Sequence, residues 1–164
     1  MRFDPDEMVR VLDAHGVEYV LIGGLAAALH GSDGVTTDLD ITPATGRTNL
    51  AALSAALRDL QARIRVEGLD EGLAFRHSGE SLAKAEVWNL RTRAGDLDIA
   101  FTPDGTDGYD DLAAGALRVE LAGVEVRLAS LPDVIRSKAA ADRPKDRLAL
   151  PGLRALLRRR TGGA

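Results

Sequence analysis

The sequence predicts an α/β (α+β) chain built on a mixed β-sheet flanked by helices, and three observations predict it. Short apolar, β-branched runs alternate with helical patterns over roughly the first sixty residues. Later, two pairs of strand-like runs are joined by tight turns containing Gly95 and Gly123, as in hairpins. Strands separated by helices suit parallel pairing and hairpins are antiparallel, so the two together give a mixed sheet. At 164 residues the chain suits a single domain, 1–164, large enough to bury a core without covalent staples.

The elements follow in order. Asp4-Pro5-Asp6-Glu7 starts a helix, with Asp4 as N-cap, Pro5 at the first helical position and Glu7 three residues after the cap. Met8, Val11 and Leu12 supply its apolar stripe, and Gly16 ends it. Residues 17–22 read as a short buried strand. Gly23-Gly24 then turns the chain into a second helix, 25–30, stopped by Gly31. A strand at 36–42 is closed by Pro43, and a helix over 48–62 carries Leu50, Leu53, Leu57 and Leu60 at helical spacing. Residues 63–66 suit another strand, whereas 67–81 are polar, glycine-containing and without a clear period.

Residues 86–92 and 96–102 form a hairpin turning at Ala94-Gly95, and 109–116 a helix. A second hairpin, 117–121 with 124–128, turns at Ala122-Gly123. Ser130-Leu131-Pro132-Asp133 has a capping-box pattern and opens a helix to about residue 141. Asp142-Arg143-Pro144 breaks that helix, and one or two short helices form a tail from about 144.

Composition narrows the function. There is no cysteine, which excludes disulfides and thiolate metal sites and fits a cytoplasmic location. The net charge of −4 excludes a uniformly basic nucleic-acid binder. It conceals an asymmetry, with Asp dense around 38–40 and 96–98 and a basic run at Arg154 and Arg158-Arg159-Arg160. That run suits contact with phosphates, and equally a solvated helix end complementing the macrodipole. No apolar run reaches membrane-spanning length, and Met1-Arg2-Phe3-Asp4-Pro5-Asp6 is no signal peptide. Aromatic residues are too few for broad base-stacking platforms. His15, His30 and His77 have no ligand spacing, so zinc is not expected; His30 reads as a cap or core-edge residue.

The informative residues are carboxylates. Side chains two apart on a strand share a face, so Asp38 and Asp40 aim at one spot while Leu39 and Ile41 anchor the other side. Asp98, in Asp96-Leu97-Asp98-Ile99, can bring a third carboxylate from a neighbouring strand. Converging carboxylates are hard oxygen ligands of the kind Mg²⁺ (or Mn²⁺) takes beside phosphate oxygens. Gly23-Gly24 would let the backbone approach a phosphate. Together these are the parts for metal-assisted phosphoryl or nucleotidyl transfer. The same alternation also suits strands with one face in solvent, and a glycine pair also suits a plain turn. Asp4-x-Asp6 is a solvated helix start.

The order of these features carries a resemblance. A strand, Gly-Gly opening a helix, Asp-x-Asp on the next strand and a later Asp between apolar residues resemble the DNA polymerase β-like nucleotidyltransferase superfamily. Leu21-Ile22-Gly23-Gly24-Leu25-Ala26-Ala27-Ala28-Leu29-His30-Gly31 with Thr37-Asp38-Leu39-Asp40-Ile41 is similar to its AbiEii-type toxin branch. So are Ser130-Leu131-Pro132-Asp133-Val134-Ile135-Arg136-Ser137-Lys138 and Arg143-Pro144-Lys145-Asp146. The likeness runs from about 17 to 150 and is weakest over 67–82.

The resemblance implies a polymerase β-like fold and an enzyme moving an NMP from an NTP to a hydroxyl acceptor with Mg²⁺ or Mn²⁺. The acceptor is left open between RNA such as tRNA, protein and a small molecule, as is a cognate toxin or antitoxin partner. Asp38 and Asp40 match the paired metal ligands, and Asp98 the third carboxylate, which helps activate the attacking hydroxyl. Asp96 shares that face without counting as a ligand. Gly23 and Gly24 match the pair that approaches the triphosphate at a helix N-terminus. Lys138 matches a lysine contacting nucleotide phosphates, though it also suits a solvated position on an amphipathic helix. Lys145 and Asp146 match a pattern read as structural.

Branch members usually carry a sizeable helical C-terminal domain, and here only about twenty residues follow Pro144. The alternative is a non-catalytic nucleotide-binding or regulatory module on the same fold. A hydrolase with a carboxylate-bound metal would have the ligands but no use for the glycine pair.

Overall fold

The computed structural model describes residues 2–162. Its elements are α1 (Pro5–Ala14), β1 (Tyr19–Ile22), α2 (Gly23–His30), β2 (Asp38–Pro43), α3 (Arg47–Asp59), β3 (Arg63–Val66), β4 (Leu69–Leu73) and α4 (Gly79–Leu82). They continue with β5 (Val87–Thr92), β6 (Gly95–Ala100), α5 (Tyr109–Gly115), β7 (Leu117–Leu121), β8 (Val124–Leu128), α6 (Leu131–Ala141) and α7 (Pro144–Gly162). The strands form one eight-stranded sheet in the order β4-β3-β5-β6-β2-β1-β8-β7. β2 runs parallel to β6 and β1 parallel to β8, while the remaining neighbours are antiparallel. The sheet is therefore mixed, as the alternation and hairpins predict.

Local chemistry sets most boundaries. Asp4 caps α1, its Oδ1 accepting from the Glu7 N–H at 3.1 Å, with Pro5 at the start. Ser130 caps α6, accepting from the Asp133 N–H at 3.2 Å. The β7–β8 turn places Ala122 and Gly123 at φ 56° and 78°, the left-handed pair that matches strand twist in a two-residue hairpin.

Four expectations are corrected. Residues 67–81, without a period, supply β4 and α4. β4 pairs with β3 across a Glu67-Gly68 turn, and α4 is a single turn held by a Ser78–Ser81 capping box. The β5–β6 turn is Arg93-Ala94, Gly95 being the first residue of β6 and paired with Thr92. α3 ends at Asp59 rather than 62, because Gln61 adopts a left-handed φ of 55° without help from glycine. The tail is one 19-residue helix with Pro151 inside it. Pro151 lacks a backbone N–H, but burial of Leu150 and Leu153 on either side carries the helix through.

The core lies under the apolar face of the central strands. Leu39 and Ile41 of β2, Leu90 of β5, and Leu97 and Ile99 of β6 are fully buried. They join Met8 and Leu12 of α1 and Leu53 and Leu57 of α3 in one cluster. Alternation then leaves Asp38, Asp40, Asp96 and Asp98 on the opposite face.

His30 is buried at the end of α2, as a core-edge residue. Its Nε2 donates to the Ala129 carbonyl at 2.7 Å, because a carbonyl only accepts, and this leaves Nδ1 to accept from Arg160 Nη1 at 2.9 Å. Arg160 Nη2 also donates to the His30 carbonyl, so part of the basic run docks α7 on the end of α2. Replacing His30 by Ala orphans a buried carbonyl and opens this junction. His30→Ala is expected to lower stability by about 2–3 kcal/mol, read as a lower urea midpoint with an unchanged m-value.

Candidate active site

The carboxylates converge because β2 and β6 are parallel and in register: Asp38 lies opposite Asp96, and Asp40 opposite Asp98. One oxygen from each of Asp38, Asp40 and Asp98 lies within 4.8 Å of the other two. All three are half-buried. Their own strands hold them rigidly, since Leu39 and Leu97 between them are fully buried on the other face. Half-burial of carboxylates this close together has a cost, and it appears in the titration of Asp40 and Asp98. Burial first, then the Asp38 charge, raises the Asp40 carboxyl to about 6, against the pull of Lys145, Lys138 and the Gly24 N–H. Burial, a hydrogen bond with Asp38 and the Asp40 charge raise Asp98 to about 7, against the opposing Arg65.

Asp96 shares the face but belongs to a different set. Arg91 Nε binds its Oδ1 at 2.9 Å, and Arg65 Nη1 lies 3.5 Å from its Oδ2. Asp96 is thus tied into an ion-pair set and is not among the three carboxylates that converge. Arg65 also reaches Asp98 Oδ1 with Nη2 at 2.8 Å, giving a continuous ladder Arg91–Asp96–Arg65–Asp98. Sequence reading misses both arginines. The available signal is Arg63-x-Arg65 and Arg91-x-Arg93, but only the pairing of β3 with β5 and of β5 with β6 brings them to this face.

The glycine pair forms the first residues of α2. β1 ends with Ile22 opposite Asp40, so the chain enters α2 directly against that carboxylate. Gly23 has φ +73°, and a Cβ there would overlap the Asp40 carboxylate. The Gly24 N–H is near enough to Asp40 to pull its pKa down, and a Cβ on Gly24 would sit 3.2 Å from Thr36 Oγ1. Gly23 is thus needed for the close approach of the start of α2 to Asp40, beyond what a plain turn requires.

Lys138, on α6, is largely buried, and its charge acts on Asp40. Its Nζ lies 3.7 Å from Oδ1 of Asp146, which is fully buried. Asp146 also accepts from the Arg143 backbone N–H at 3.1 Å and from Arg143 Nε at 2.7 Å. Burial works against the Asp146 charge, but these bonds hold its carboxyl below the usual range. Asp146 so ties the start of α7 to α6 and holds Lys138 on the side of Asp40, while the Lys145 and Arg143 charges also act on Asp40. The site joins three carboxylates to a cationic rim, a charge pattern suited to a divalent cation and a polyphosphate. Three hard oxygen donors within a few ångströms, with no sulfur or imidazole among them, fit Mg²⁺ or Mn²⁺.

No protein-family model matches this chain, and no curated protein matches it. Solved structures do. The chain is similar to the lincosamide antibiotic adenylyltransferase LnuA, solved with lincomycin bound, at 15% identity and a TM-score of 0.60. That match covers 95% of this chain and 99% of LnuA. It is also similar to the antibiotic-resistance factor ANT(2'')-Ia, at 18% identity and a TM-score of 0.52, covering 97% of this chain and 94% of the other. The shared feature at these identities is the fold, a mixed sheet flanked by helices. Among the described residues, no helix is long and apolar enough to cross a membrane.

Proposed function

We propose that this chain is a metal-dependent nucleotidyltransferase that moves an NMP from an NTP to a hydroxyl acceptor. The observation that carries this reading is the register of β2 with β6, which gathers Asp38, Asp40 and Asp98 beside the glycine-bearing start of α2. The adenylyltransferase fold around them supports it.

Asp38, Asp40 and Asp98 would hold Mg²⁺ or Mn²⁺, which when bound neutralises phosphate charge and acidifies a hydroxyl. The N-terminus of α2 offers backbone N–H groups to phosphate oxygens, and Gly23 and Gly24 keep that approach free of side chains. Lys138, held by Asp146, adds a charge on the same side. The acceptor oxygen forms a bond to the α-phosphorus, the bond from that phosphorus to the bridging oxygen breaks, and pyrophosphate carries away the electron pair. Asp98 is placed to take the hydroxyl proton. Such transfer needs positioning and charge neutralisation rather than a covalent nucleophile.

The finer reading is a short AbiEii-type protein with a cognate toxin or antitoxin partner, supported by the sequence segments that resemble that branch. The test is incubation with Mg²⁺ and each α-³²P-labelled NTP in the presence of cellular RNA, lysate protein and small hydroxyl compounds, beside an Asp38→Ala control. Label moving to one acceptor class, and lost in the control, is the expected result. Metal-dependent NTP binding with no transfer to any acceptor would replace the enzyme by a nucleotide-binding module.

A further inference from the structure

Of the three carboxylates that converge, one differs from the other two. Among the described residues neither Asp38 nor Asp40 has a cation within ion-pair distance, whereas Asp98 has Arg65 Nη2 on its Oδ1 at 2.8 Å. The Arg65 charge is not taken up elsewhere. Asp96 already has Arg91, whose Nε and Nη2 bind its two oxygens at 2.9 and 3.3 Å. Arg65 Nη1 stands farther off, 3.5 Å from Asp96 Oδ2, and donates to the Leu90 carbonyl at 3.3 Å. With its two terminal nitrogens bound to separate groups, the planar fork is fixed in place, and its charge falls mainly on Asp98.

The sheet explains why the cation comes from β3. Directly opposite Asp98 lie Asp40 on one side and Asn89 on the other, and neither carries a positive charge. β3 is not a neighbour of β6, since β5 lies between them. Ile64 pairs with Leu90, which is fully buried on the apolar face, so alternation puts Arg65 on the carboxylate face. Its side chain then spans β5 to reach Asp98.

Two consequences follow from elementary electrostatics. Asp40 and Asp98 are like charges directly opposite each other, and a guanidinium on Asp98 offsets their repulsion. The same guanidinium repels any other cation at that carboxylate. Repulsion between a guanidinium and a divalent ion sharing one carboxylate lowers affinity at least about tenfold, even at the dielectric of water.

Resting on the transferase reading above, we propose that Arg65 is a positioning residue of the carboxylate cluster: it holds Asp98 beside Asp38 and Asp40 in the nucleotide-free chain and lowers the affinity of the cluster for a divalent cation. Asp98 is thereby kept in place without the ion, and the guanidinium is the charge that a bound ion must work against.

The test titrates the whole nucleotide-free chain with Mn²⁺ at one fixed pH and ionic strength, following the electron paramagnetic resonance signal of the free ion. Arg65→Met, which removes the charge and keeps most of the stem, is expected to bind Mn²⁺ at least about tenfold more tightly than wild type. Arg65→Lys, which keeps the charge, should bind close to wild type. In an Asp98→Asn background Arg65→Met should gain little, because the carboxylate shared by guanidinium and ion is gone. Melting gives a second readout. Without cation the Arg65→Met chain should melt below wild type, and saturating Mn²⁺ should raise its melting temperature by a wider margin than in wild type; a purely structural arginine would leave that margin unchanged. Arg65→Gln, uncharged but still able to donate, carries the same expectations and serves if Arg65→Met does not fold. Equal or weaker Mn²⁺ binding by the uncharged variants overturns the proposal. So does an Arg65→Lys chain that binds as tightly as Arg65→Met, or a gain that persists in full beside Asp98→Asn. Transfer of α-³²P label by the wild-type chain separates the two readings: Mn²⁺ binding with no transfer to any acceptor overturns the transferase, while the comparison of variants still decides the role of Arg65.

Discussion

Asp40→Asn is expected to lower NMP transfer by at least about a thousandfold while making the metal-free protein more stable at neutral and alkaline pH. The loss of activity follows from geometry, since an amide of the same size keeps the packing but removes one of the charges that hold a divalent cation. The gain in stability follows from linkage. The Asp40 carboxyl titrates near 6 in the folded protein against an ordinary value of 3.8. A raised pKa means that the folded state holds a proton the unfolded state has released. Stability from this group is therefore complete below about pH 4 and is lost as pH rises through about 6. A shift from 3.8 to about 6, at 1.36 kcal/mol per unit, is a penalty of about 3 kcal/mol at most above that range.

Asp98, raised to about 7, adds a change of the same sign. Melting curves of the metal-free protein should therefore fall from pH 5 to pH 8. Mg²⁺ should reverse the fall in wild type, because cation binding replaces the missing protons, and the Asp40→Asn chain should show a flatter profile with little response to Mg²⁺. Transfer within tenfold of wild type, or a pH profile unchanged by the substitution, would rule out Asp40 as a metal-bound carboxylate.

Gly23→Ala is expected to cost about 3 kcal/mol or more and to abolish transfer in whatever fraction folds. Two independent penalties meet at this residue. Its φ of +73° lies in the left-handed region, where a side chain costs roughly 1–2 kcal/mol. The added Cβ would also overlap the Asp40 carboxylate, which cannot retreat because Leu39 and Ile41 are locked in the core on either side of it. Gly46→Ala is the control. That residue has φ −61° and an open environment, so its substitution should leave both the melting temperature and the activity near wild type. A Gly23→Ala chain as stable and active as wild type would show that the start of α2 does not need to press against Asp40.

Much of this site is legible in the sequence for one physical reason: short-range periodicity constrains side-chain direction. Asp38-x-Asp40 within a β-branched run places both carboxylates on one face, and buried Leu39 confirms the alternation. The caps of α1 and α6 are legible in the same way, because Asp4 and Ser130 act within three residues of themselves. The 67–81 segment fails that test. β4 is an edge strand whose Asp70, Glu71 and Leu73 are exposed, so no apolar alternation marks it, and one-turn α4 is too short to show a period. The long α7 hides for another reason: Pro151 reads as a breaker, and only burial of Leu150 and Leu153 overrides it.

By itself, then, the sequence determines the mixed α/β class, the strand bearing Asp38 and Asp40, the glycine pair ahead of it and the later strand with Asp98. Each of these rests on interactions within a few residues of chain. Tertiary structure alone decides that β2 lies parallel to β6 in the register that closes the carboxylate cluster. It alone brings Arg65 and Arg91 to the Asp96–Asp98 face, sets Arg63 opposite Arg91 across β3 and β5, and makes His30 the point where α7 locks onto α2. Apart from the Arg91–Asp96 pair inside the β5–β6 hairpin, those contacts join residues from 28 to 130 positions apart, and their partners follow from which strands and helices pack together, a choice made by the whole core rather than by any one segment.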